Sequence, residues 1–198
     1  MHTYSIDSDE RRNLTLAVGA LGVAAAYLTN GVLRLTDATV PWWFDAPAVF
    51  GFAVLFYGVL DRWVWRWSLL RRVGVVAAPD LSGTWRGHLE SHGSDFSEPR
   101  EVEMVIQQTW TRISLALNSP SSRSWSVSAS ISVASPFGAQ IAYMYQNQPA
   151  AGSVDTMNAH YGTATHILDT NGPTLNGDYY TGRGRNTFGS IQLTRSSN

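Results

Sequence analysis

Arg183 and Arg185 stand between glycines in the run Leu175-Asn-Gly-Asp-Tyr-Tyr-Thr-Gly-Arg-Gly-Arg-Asn-Thr-Phe-Gly189. A guanidinium is a planar fork of donors that matches phosphate oxygens two at a time, and neighbouring aromatic rings can stack on bases. Tyr179, Thr181, Arg183, Arg185 and Thr187 share parity, so an extended segment would point their side chains one way. The glycines would let the backbone approach a ligand closely. Tyr180 has the opposite parity, and it joins a base-stacking group only if the chain bulges near Gly182. The competing interpretation is a glycine-rich hairpin with solvated arginines.

A second group lies in Tyr143-Met-Tyr-Gln-Asn147, where Tyr143, Tyr145 and Asn147 fall on one face of a strand. Rings beside a single amide suit a nucleobase, because Asn can pair with a base edge. Core aromatics would give the same pattern. The candidate ligand-binding set is therefore Arg183 and Arg185 for phosphate, Tyr145 and Tyr180 for stacking, and Thr181, Thr187 and Asn147 for polar contacts. His88 and His92 are four apart and His160 and His166 six apart, but no carboxylate completes a zinc signature, and no metal or cofactor is expected. No Gly-x-Ser-x-Gly elbow occurs, and no catalytic constellation is visible, so an enzyme is not expected.

The elements that must hold these residues are strands. In Arg123-Ser-Trp-Ser-Val-Ser-Ala-Ser-Ile-Ser-Val133, Arg123, Trp125, Val127, Ala129, Ile131 and Val133 take one face and serines the other. Weaker period-two runs cover Gly83–Glu90, Glu101–Trp110, Arg112–Asn118, Gln140–Asn147, Tyr161–Leu168, Leu175–Thr181 and Gly189–Arg195, with turn residues between them. About eight successive antiparallel strands predict an up-and-down, lipocalin-like β-barrel with room for one ligand. A two-sheet sandwich is the alternative. Trp85, Trp110 and Trp125 are expected to close the core.

Before the barrel the chain is apolar. Leu14 to Leu33 carries no charge and is long enough to cross a bilayer, and it is too long for a signal-peptide core. A second span is expected from about Trp42 to Trp63, after a turn from Arg34 to Pro41, with Trp42-Trp43 and Trp63, Trp65 and Trp67 in the headgroup zones. Arg11 and Arg12 precede the first span, and Arg62, Arg66, Arg71 and Arg72 follow the second. The positive-inside rule then places both termini in the cytoplasm. The expected organisation is a cytosolic N-terminal segment (1–13), a two-helix transmembrane anchor (14–72), a linker (73–79) and a cytosolic ligand-sensing barrel (80–198). Gly22 with Ala26, and Ala20 with Ala24, are small pairs that permit close helix contact. A formal net charge of −1 argues against DNA or RNA as partner, and the absence of cysteine excludes disulfides.

The paired spans, Leu81-Ser-Gly-Thr-Trp-Arg-Gly87, Tyr143-Met-Tyr-Gln-Asn147, His160-Tyr-Gly-Thr-Ala164 and Leu175-x-Gly-x-Tyr-Tyr-Thr-x-Arg-x-Arg-x-Thr-x-Gly189 occur in this order, followed by Ile191-Gln-Leu-Thr-Arg195. In this the chain resembles the two-transmembrane, β-strand-rich effectors of bacterial CBASS anti-phage systems (the SMODS-associating, CD-NTase-associated effectors). The resemblance implies a cytosolic barrel that binds a cyclic oligonucleotide, usually a cyclic dinucleotide, made by a CD-NTase. It further implies homo-oligomerisation through the membrane helices, disruption of the inner membrane and death of the infected cell. Two other functions fit the residues alone. One is a tethered barrel for a lipid or other apolar ligand, which requires Trp125, Val127 and Ile131 to face the lumen with no arginine there. The other is a scaffolding barrel without a ligand.

Overall fold

A computed structural model describes residues 1–35, 45–153, 157–169, 173–182 and 186–196. The turn from Arg34 to Pro41 lies largely outside this set, as do Trp42, Trp43, Arg183 and Arg185. The chain forms two compact units, Ser8–Ala77 and a barrel made of Met1–Asp7 with Ala78–Asn198.

The first unit is helical. Helix α1 spans Glu10–Leu35 and α2 spans Asp45–Arg62, followed by a 3₁₀ turn at Val64–Arg66 and a short helix α3 at Ser68–Arg72. Glu10 in the first turn of α1 complements the helix dipole, and its carboxylate accepts from the Ala77 amide. Leu16, Tyr27 and Leu28 on α1 and Phe50 and Val54 on α2 stay exposed although apolar. Gly22 seats α1 on α2, since an added Cβ there would lie 3.1 Å from Ala53 Cβ and from the Val49 carbonyl oxygen. Val18 and Ala26 continue that buried stripe, whereas Ala20 and Ala24 face outward. By length and composition, Glu10–Leu33 is the described segment able to cross a membrane. Helix α2 has 18 residues and includes Asp61 and Arg62.

The second unit is a closed barrel of nine strands: β1 (His2–Ile6), β2 (Gly83–Ser91), β3 (Arg100–Gln108), β4 (Arg112–Asn118), β5 (Ser122–Ser132), β6 (Gln140–Pro149), β7 (His160–Leu168), β8 (Thr174–Thr181) and β9 (Phe188–Arg195). Their order around the barrel is β1-β4-β3-β2-β9-β8-β7-β6-β5, with β4 also paired to β5. Eight of these follow the period-two runs. The ninth, β1, corrects the expected strand count and the simple up-and-down topology. It runs antiparallel to β4, through His2↔Ile113, and parallel to β5, through Tyr4↔Ala129. Strands β4 and β5 pair directly only at Ala116↔Trp125, Leu117↔Ser124 and Asn118↔Arg123, and β1 fills the seam where they part. Tyr4 is buried and its hydroxyl donates to the Trp110 carbonyl at 2.8 Å. Five residues with one buried side chain carry too little periodicity to mark a strand in sequence.

β5 departs from expectation in a second way. Its register shifts at a bulge between Ser126 and Ser128. One extra residue reverses which parity faces the lumen. Ser122, Ser124 and Ser126 are therefore buried before the bulge, and Ile131 is buried after it. Trp125 and Val127 face outward at 39% and 41% exposure. Trp85 and Trp110 close the core as expected and Trp125 does not. The apolar-ligand reading needed Trp125 and Val127 inside, and the bulge puts both outside.

Candidate ligand-binding site

The barrel is stoppered at one end. Leu81, Trp85 and Trp110 are fully buried there, and the Trp85 indole donates to the Leu81 carbonyl at 2.9 Å. Gln108 spans the same end, accepting from the Leu81 amide at 2.8 Å and donating to the Pro79 carbonyl at 3.1 Å. At the opposite end, the last residues of β2, β4, β6 and β8 and the first of β3, β5, β7 and β9 surround a pocket. It holds about 740 Å³ of space including its opening to solvent.

Three tyrosines form the apolar wall. Tyr143, Tyr145 and Tyr179 are each less than a tenth exposed, and the rings of Tyr143 and Tyr145 are 6.3 Å apart. Tyr145 lies opposite Gly162 on β7 and Tyr179 opposite Gly189 on β9, so each ring occupies space that a neighbouring side chain would otherwise take. Behind this wall the Tyr143 hydroxyl lies 3.2 Å from His166 Nε2. Burial pulls the His166 pKa down to about 4 and raises that of Tyr143, so both groups are neutral at pH 7.

Beside the tyrosines, where the end of β6 meets the start of β5, the wall turns polar. Asn147 Nδ2 donates to the hydroxyls of Ser122 and Ser124, both at 2.9 Å. Its Oδ1 is buried without a partner among the described residues. Two good hydrogen bonds fix the amide plane, and leaving the third group unpaired costs about 1–3 kcal/mol. At the rim, the Thr181 hydroxyl donates to the Thr187 carbonyl and accepts from the Thr187 amide, each at 2.9 Å. These bonds clamp the two ends of the β8–β9 connection together.

Arg100 supplies positive charge at the mouth, and His160 supplies an imidazole. Arg100 opens β3 with the parity of the buried Val102, Met104 and Ile106, and His160 opens β7 with the parity of Gly162 and Ala164. Both line the pocket, and among its described lining residues there is no aspartate or glutamate. The chamber thus offers rings, hydroxyls, one amide and positive charge, which together suit an anionic aromatic ligand. Among the described residues, no three His, Asp or Glu side chains converge as a metal centre would require.

The site gathers Tyr145, Asn147, Thr181 and Thr187 from the sequence-derived set. Tyr180 lies elsewhere. It is 55% exposed and stacks on Phe188 at 6.5 Å, and Phe188 itself stacks on His92 at 4.7 Å. No bulge interrupts the β8 pairing at Tyr180↔Phe188, so alternation turns Tyr180 outward and Tyr179 inward. Arg183 and Arg185 fall outside the described residues. Sequence reasoning missed Arg100, although its parity with Val102 and Met104 carried the signal.

Comparison with known proteins agrees with this chemistry. The family described as Cap15, cyclic dinucleotide receptor domain, matches residues 76–195. A curated protein of Yersinia aleksiciae, CD-NTase-associated protein 15, is 34% identical over 141 residues, covering 70% of this chain. The match spans 65% of that relative's own length.

Proposed function

Because the chain belongs to the Cap15 cyclic dinucleotide receptor family of CBASS effectors, we propose that its barrel is the cytosolic sensor for a cyclic dinucleotide made by a CD-NTase. The observation that carries this reading is the pocket's inventory: three tyrosine rings, a locked asparagine amide, serine and threonine hydroxyls, and Arg100 with His160 in the absence of any described carboxylate. Bases stack on rings, an amide reads a base edge, and a phosphodiester needs a cation. Tyr145, Tyr179 and Asn147 face the bases, and Thr181 and Thr187 hold the rim. The residues do no covalent chemistry, and the protein acts as a sensor.

In this proposal residues 14–72 form a two-span anchor in the bacterial inner membrane, with α2 as the second span and both termini cytosolic. The outward Ala20–Ala24 face of α1 supports self-association of the anchors, because small residues let helix backbones approach within lipid. Assembly then disrupts the membrane and kills the infected cell. For the ligand to drive this, it must bind the assembled state more tightly than the monomer. Thermal denaturation of the full chain in lipid nanodiscs, against a panel of cyclic di- and trinucleotides, tests the sensor reading. A bound nucleotide at a hundredfold excess over its Kd adds about 2.7 kcal/mol of stability. Folded protein whose melting is shifted by no member of the panel would refute it.

A further inference from the structure

We propose that Arg100 and His160 form an opposed clamp, each receiving one of the two phosphodiester groups of the ligand ring. The inference rests on the receptor reading above and adds to it where the ring's charges go. At the open end β1 is absent, because it pairs with β4 only at His2 and Thr3 and with β5 only from Tyr4 to Ile6. The mouth is therefore eight strands around. β2, β9 and β8 separate β3 from β7 on one side, and β4, β5 and β6 separate them on the other. Arg100 and His160 are each the first residue of their strand, and each points into the lumen. They face one another across the pocket at its rim.

A cyclic dinucleotide is a closed ring that carries its two phosphates on opposite sides, with a ribose between them on each side and a base projecting outward from each ribose. Its two charges match two opposed cations, with the rings of Tyr143 and Tyr145 on β6 and Tyr179 on β8 flanking His160 to meet the bases. The Arg100 side chain has no hydrogen-bond or ion-pair partner among the described residues, and its guanidinium suits a phosphate bidentately. The histidine is poised by its other nitrogen. Nδ1 of His160 lies 2.8 Å from the Asn158 carbonyl, which can only accept, so Nδ1 carries a hydrogen and Nε2 is left for the ligand. The imidazole edge also meets the Tyr145 ring at 6.4 Å. A neutral Nε2 has only a lone pair to offer a phosphate oxygen, whereas a protonated one donates. Binding should therefore take up a proton, and affinity should rise as pH falls. The other charged or titratable side chains lining the pocket among the described residues are Arg100, Tyr143, Tyr145 and Tyr179.

Isothermal titration of the full chain in nanodiscs with 3′,3′-cyclic di-AMP, cyclic di-GMP and cyclic GMP–AMP, at pH 6 and pH 8, tests the clamp. The wild type should bind its preferred ring more tightly at pH 6, with proton uptake visible as a dependence of the heat on buffer ionisation. Arg100→Ala should weaken binding about 10- to 100-fold at both pH values. His160→Gln should abolish the pH dependence and the proton uptake, with little loss at pH 8. Both variants should melt as the wild type does, since both residues stand at the rim. Wild-type binding that is independent of pH, or unaffected by either substitution, would overturn the clamp and leave the receptor reading standing. Folded wild type that binds no ring would overturn the receptor reading itself.

Discussion

Tyr145 fits across Gly162 with no space to spare. A Cβ at position 162 would lie 2.3 Å from the Tyr145 hydroxyl and 2.4 Å from the Tyr180 carbonyl oxygen. The carbonyl belongs to the paired strand and cannot yield cheaply, so Gly162→Ala should cost about 1–3 kcal/mol of stability and tilt the tyrosine from its place in the wall. Thermal denaturation and ligand titration of that variant should fall together. His166 gives a prediction with a definite sign. Its folded pKa is near 4 against an ordinary 6.5, so between those values the unfolded chain binds a proton that the barrel refuses. Stability from this residue is complete above pH 6.5 and is lost as pH falls towards 4, by about 3 kcal/mol in all. His166→Gln should flatten the decline in melting temperature between pH 6.5 and 5, and an unchanged slope would mean the imidazole is not the group responsible. At this scale the sequence was partly legible. Tyr145, Asn147, Thr181 and Thr187 could be selected because their types and parity were informative. The partner that fixes Asn147, the serine pair on β5, could not be found, because those serines occupied what looked like the solvent face.

The lesson of β5 belongs to the element. Alternation identified it as a strand within a residue at each end, since period two over Ser122–Ser132 leaves few other solutions. Alternation does not say which face is inside, and it assumes that the count never slips. The bulge between Ser126 and Ser128 breaks that assumption and divides one strand into a polar half that lines the pocket and an apolar half that joins the core. Trp125→Ala should therefore change stability by no more than about 0.5–1 kcal/mol, whereas Trp85→Ala, which empties a fully buried site, should cost about 3–5 kcal/mol. Equal losses in chemical denaturation would contradict the outward placement of Trp125. β1 was illegible for a different reason. It is short, it contributes one deeply buried side chain, Tyr4, and its partners are the parted ends of β4 and β5, far away in sequence. Long-range seams leave no local pattern.

At the scale of the molecule, a lipid-suited helix and a polar-lined barrel occupy one short chain. From Leu14 to Leu33 the absence of charge announced the first of these, and α1 carries it. The small residues of that helix divide between two uses that their spacing alone could not separate. Gly22 and Ala26 are buried, with Gly22 against α2, and Ala20 and Ala24 remain outward. Ala24→Leu should accordingly suppress ligand-dependent cross-linking of the full chain in membranes and, because the ligand favours the assembled state, weaken the apparent nucleotide affinity without altering the pocket. The most direct test of the central claim is amide hydrogen exchange of the full chain in nanodiscs, with and without the cyclic dinucleotide that stabilises it most. Protection should rise at the mouth, over Leu89–Ser91, Arg100–Val102, Ser119–Ser124 and Tyr143–Asn147, and remain unchanged at the closed end around Gln108 to Ile113. Protection confined to the closed end, or none at the mouth from protein that is folded and saturated, would contradict the assignment of this pocket as the nucleotide site.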